Sequence, residues 1–147
     1  MAGPFLRRFG MVFLHGILPL VAGGAIYLYF RRGSIVSQRL QQTAGIRPYR
    51  TEAPFWQTVW NVLPDFLWAY SLASVLFLYG HWAKLPSRVI FWLTAVFLTI
   101  AEAGQALPGS PFTFDIRDLI ATAIAFFLSS WIHYRPFTRK QPETAWH

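Results

Sequence analysis

Residues 10–30 contain no Asp, Glu, Lys or Arg. At about 1.5 Å per residue, a helix of that length crosses the roughly 30 Å hydrocarbon core of a bilayer. The helix is also the form in which a lone segment pairs all its backbone polar groups without water. Three further runs follow with almost as little charge. Residues 53–80 carry one charged side chain, Asp65, residues 89–107 carry Glu102, and residues 116–133 carry Arg117 and Asp118. Over the whole chain charged residues are 13%, against about 25% in soluble domains. The 147 residues therefore read as one all-α, polytopic integral membrane domain.

The expected spans are residues 10–30, 64–80, 89–107 and 116–133, followed by a polar tail, 134–147. A cleaved signal peptide is the rival for the first run. Its apolar core exceeds the usual ~7–15 residues and Arg31-Arg32 closes it as a stop signal, which favours a retained helix. Gly16, Pro19 and Gly23 fall on one face of this helix, suited to close approach of a neighbouring backbone, and Pro19 is expected to kink it. Between the first two spans, Ile35, Val36 and Leu40 suggest a short amphipathic turn on the headgroups, with a solvated loop as the equal alternative. Thr51 and Glu52 suit a helix start. Pro64 divides the second run, so residues 54–62 are expected as a separate interfacial helix anchored by Trp56 and Trp60, with a single kinked helix as the alternative. Pro108-Gly109-Ser110-Pro111 breaks the chain between the third and fourth spans.

The net charge of +7 does not point to nucleic acid, because the basic residues flank the apolar runs, where they meet lipid headgroups. Nor does it orient the protein. Arg7, Arg8, Lys84, Arg88, Arg135, Arg139 and Lys140 share one face; Arg31, Arg32, Arg39, Arg47, Arg50 and Arg117 share the other. Short flanks weigh most in topology, which gives cytoplasmic termini as the expectation. Cysteine is absent, so disulfides and thiolate metal sites are excluded. No metal or phosphate-binding motif is present, and no cofactor is expected. His15, His81 and His133 are read as interfacial side chains rather than haem ligands.

The alternation of four spans puts Asp65, Glu102, Gln105, Asp115, Arg117 and Asp118 at one membrane face and the three inner histidines at the other. Glu102 and Gln105 are one helical turn apart, as are Asp115 and Asp118. Asp118, Ala121 and Ala125 line one helix face, and Asp65 and Ala69 another, so the carboxylates ride on the small-residue faces that bring helices together. Glu102 and Asp118 are expected within reach of each other, directly or through Gln105 or one water. Carboxylates at that depth are costly. Either they cap helices and tie loops, or they bind a headgroup, a glycan or a cation, or they act as acid and base.

The pattern Glu102-x-x-Gln105, Pro108-Gly109, Phe114-Asp115-x-x-Asp118 resembles the signature of VanZ-like membrane proteins, roughly E-x-x-Q, a Pro-Gly turn, then F-D-x-x-D followed by Asn and Gly. Asp65 and Tyr70 resemble that family's earlier acidic motif. The similarity covers residues 65–125 and departs at Ser110, Thr122 and Ala125, where the family has Arg, Asn and Gly, and at Phe66 and Trp68, where it has Lys and His. The resemblance implies a helical protein of the bacterial inner membrane and cell envelope, linked in some members to low-level teicoplanin resistance. Three functions follow as expectations: a carboxylate cluster that binds a glycan or lipid headgroup, a structural or accessory subunit partnered with other membrane proteins, and an intramembrane acid/base enzyme.

Overall fold

The computed structural model describes residues 3–30, 35–45, 53–105 and 115–134. The Arg31-Arg32 stop, Arg47, Arg50, Thr51-Glu52, the Pro108-Gly109 turn with Phe114, and the tail from Arg135 lie outside the described residues. Helix α1 runs as α-helix over Pro4–Val12, as a π turn over Phe13–Ile17 and again as α-helix over Leu18–Phe30. The others are α2 Ile35–Ala44, α3 Pro54–Trp82, α4 Ser87–Gln105 and α5 Ile116–Tyr134. Four stretches are long and apolar enough to cross a membrane: Phe5–Phe30, Pro54–Trp82, Ser87–Gly104 and Ile116–His133. The protein is an all-α polytopic membrane protein, as the charge-poor runs predict.

The second span departs from expectation. Residues 54–62 are not a separate interfacial helix, because α3 runs through Pro64 unbroken for 29 residues. Pro64 removes one backbone donor, yet a break would strand several backbone groups in lipid, so continuity wins. Aromatic stacking keeps the leading turns in the bundle: Trp60 stacks on Phe30 at 4.4 Å and on Trp56 at 6.0 Å. The segment after α1 is a ten-residue helix, α2, rather than one turn. The buried Gln41 Nε2 of α2 donates to the Leu28 carbonyl at 2.8 Å, folding α2 back on the end of α1.

Helix α3 is the hub and packs against α1, α4 and α5. Its contact with α5 is made by small residues one turn apart: Ala69 and Ala73 on α3, Ala121 and Ala125 on α5, all buried. Methyl-sized side chains let the two backbones approach closely, which in lipid replaces the hydrophobic drive. Phe77, Ile90, Leu98 and Phe126 complete that core. The Ser74 and Ser129 hydroxyls meet at 3.0 Å and fix the register of α3 against α5, which run in the same direction. Helix α1 lies antiparallel against α3, with its small-residue face inward as expected. Gly16, Pro19 and Gly23 are all buried, and a Cβ on Gly23 would stand 2.7 Å from Trp68 Cδ1. The α3–α4 hairpin turns on residues 83–86, where Lys84 takes the left-handed conformation (φ 55) and Leu85 N–H donates to Gly80 O at 2.9 Å.

Candidate functional site

Two polar sites sit along this bundle. The first is the carboxylate end. Asp115 immediately precedes α5 and caps it: Asp115 Oδ1 accepts the Arg117 N–H at 2.9 Å, and its carbonyl accepts the Asp118 N–H at 3.0 Å. Both bonds satisfy donors that a helix start leaves open, so Asp115 has a folding role. Asp115 and Arg117 are exposed, whereas Asp118 points inward and is buried. One turn further, Thr122 is also buried and its Oγ1 donates to Glu102 Oε1 at 2.8 Å. Glu102 itself is 9% exposed. Glu102 therefore meets α5 through the Thr122 hydroxyl, where the expected link was to Asp118, directly or through Gln105 or one water. Sequence reasoning placed Thr122 only as a departure from a family pattern. Its spacing of four from Asp118 is the signal that assigns it to the same face.

Gln105 ends α4, and its side chain lies outside the described residues. Asp65 is half-buried on α3, next to Phe66. Phe66 and Arg117 line one cleft, which places Asp65 near the level of the carboxylate end.

That cleft opens between α3 and α5 and encloses about 490 Å³. Val59, Val62 and Phe66 form one wall and Ile120, Ala121 and Ile124 the other, with Arg117 as its charged residue.

The second site lies in the other half of the bundle, roughly 22 Å along α5 from Asp118, counting about 1.5 Å per residue to His133. It begins with the π turn. Pro19 has no N–H to give the His15 carbonyl and its ring crowds that carbonyl, so the helix widens: Leu18 N–H reaches Phe13 O, five residues back. The Ser71 hydroxyl of α3 donates to the Gly16 carbonyl at 2.7 Å, supplying a bond from the neighbouring helix. The widened turn turns His15 towards α3, where His15 Nδ1 and the Tyr70 hydroxyl are 2.7 Å apart. His133 of α5 packs against it edge to face, ring centroids 4.9 Å apart at 86°. His133 is buried, and its Nε2 has no hydrogen-bond partner among the described residues. With the phenol as donor, His15 carries its proton on Nε2.

His15 and His133 join across the bundle with Tyr70, while His81 stays exposed near the α3–α4 turn. Hydropathy locates each of these residues at the correct end but carries no information on which rings meet. The visible signals were a histidine four residues before a proline, and hydroxyls at 71 and 74 within an apolar helix. No family model, no curated protein sequence and no solved structure matches the chain.

Proposed function

We propose that this chain is a VanZ-like protein of the bacterial inner membrane whose carboxylate end binds the headgroup of a lipid or a lipid-linked glycan. The observation that carries this reading is the burial of two carboxylates, Glu102 and Asp118, beside a hydroxyl that holds one of them in place. Ionisable groups inside membrane bundles are costly and are concentrated where ligands or ions are handled. Carboxylates accept hydrogen bonds from sugar and glycerol hydroxyls. Asp115 belongs to the helix cap on this view, and Glu102 and Asp118 to the ligand.

The test is expression in a bacterial host with measurement of teicoplanin susceptibility. The expected result is a rise in resistance over empty vector, lost in Glu102→Gln and Asp118→Asn at equal membrane levels. No rise with the wild-type chain, or full resistance in both variants, removes the reading.

A second reading, an accessory subunit, is favoured by α4. The apolar windows of α4 and α1 are each 17% buried, against 44% for α3. Trp92, Leu93, Val96, Phe97 and Ile100 of α4 all face outward. A stoichiometric membrane partner that co-purifies in mild detergent and is lost on Phe97→Ala would establish it.

A further inference from the structure

We infer that the cleft between α3 and α5 is the seat of one anionic glycerophospholipid, its acyl chain lying in the cleft and its phosphate on Arg117. The inference shares a membrane face with the headgroup reading above but rests on a different surface, the outward side of α3 and α5 rather than the Glu102 face.

Three observations carry it. The first is polarity. Most of the lining is aliphatic or aromatic, and Arg117 is the charged residue in it. An apolar trough with one cation matches an amphiphile with one anionic end. The second is position. The Ser74–Ser129 contact sets α3 against α5 with a fixed offset, which brings Val62 level with Arg117. From that level the trough runs inward to Ile124, seven residues along α5, or roughly 10 Å of helix. One leaflet of the hydrocarbon core is about 15 Å deep, half of ~30 Å, so the cleft follows the outer two-thirds of an acyl chain from the headgroup boundary down. The third is charge at the mouth. Arg117 is exposed and sits in the first turn of α5, where the helix end adds its own positive potential. Of the nearby acids, Asp118 is buried within the bundle, Asp65 is half-buried on α3, and the exposed Asp115 turns one carboxylate oxygen to the Arg117 backbone N–H rather than to its side chain. The guanidinium is therefore the group presented to the headgroup layer, and a phosphate there accepts two parallel N–H bonds from it. Beyond it, Thr58 and Phe55 continue the α3 wall of the trough.

The experiment is native mass spectrometry of the full chain in mild detergent, after incubation with an equimolar mixture of phosphatidylglycerol and phosphatidylcholine. One bound lipid per chain is expected, with phosphatidylglycerol favoured about fivefold, the preference one basic side chain near the headgroups confers. Arg117→Gln should abolish the preference while leaving an uncharged remainder. Ile124→Trp should remove both lipids by filling the trough. Both positions are exposed, so neither substitution enters the core. Glu102→Gln should leave the adduct unchanged, which separates this seat from the carboxylate site. Equal retention of the two lipids by the wild type, or an unaltered preference in Arg117→Gln, overturns the inference. So does a dimer that Ile124→Trp dissociates, which would assign the cleft to a second copy.

Discussion

Gly80→Ala tests the most crowded of the described glycines. Gly80 is buried in the last turns of α3, and a Cβ there would stand 2.3 Å from Ile90 Cδ1, 2.5 Å from Cγ1 and 3.1 Å from Cγ2. Carbon pairs prefer roughly 3.5–4.0 Å, so three side-chain atoms must move together. Ile90 is itself buried and sits in the first turn of α4, where a β-branched side chain has essentially one good χ1 rotamer. It cannot swing aside, so the helices must part. The overpacking cost is about 1–3 kcal/mol. Against it stands a helix-propensity gain of up to ~1 kcal/mol for replacing glycine by alanine. The steric term matches or exceeds this gain, leaving a net loss of about 0–2 kcal/mol by these two magnitudes. Thermal unfolding in detergent, followed by intrinsic tryptophan fluorescence, measures it. The diagnostic arm is the double variant with Ile90→Ala, which makes room for the new methyl. Its loss should fall short of the sum of the two single losses by roughly 0.5–3 kcal/mol, the range for residues in contact. A stabilised Gly80→Ala protein, or strict additivity with Ile90→Ala, would refute the close α3–α4 hairpin.

Thr122→Val removes the hydroxyl that serves the buried Glu102 carboxyl, and is expected to cost about 1–3 kcal/mol in the same unfolding assay. Glu102→Gln keeps an acceptor for Thr122 and should cost less; equal losses would show that the 2.8 Å bond contributes nothing particular. On α1, Gly23→Ala is expected to destabilise, because its methyl meets Trp68 at 2.7 Å, while Gly24→Ala meets nothing within 4 Å and should be neutral or slightly stabilising. Comparable effects at the two adjacent glycines would contradict the packing of α1 on α3.

The positions of the four spans were legible because lipid leaves few options: a charge-free run of sufficient length has to be a helix. The inward face of α1 was legible for the same kind of reason, since Gly16, Pro19 and Gly23 line up on one side. The continuity of α3 was not. Pro64 signals a break by the rules of aqueous helices, and the sequence does not display the penalty that lipid places on the broken form. At the carboxylate end, spacing alone grouped Glu102, Asp118 and their small-residue neighbours. The partner that holds Glu102 was missed because Thr122 is as ordinary in a membrane helix as any other threonine until a second helix is placed beside it. The His15–Tyr70–His133 contact needed more again. It depends on a π turn that rotates His15, and on a rotation between α1 and α5 that no single helix encodes.

The unbroken α3 is longer than the hydrocarbon layer is thick. Its 29 residues extend about 43 Å at 1.5 Å per residue, against a hydrocarbon core of ~30 Å. Lying flat enough to hide all of α3 would take a tilt beyond the roughly 0–40° seen for membrane helices. The leading turns with Trp56 and Trp60 therefore reach headgroup level, where indole rings are at home.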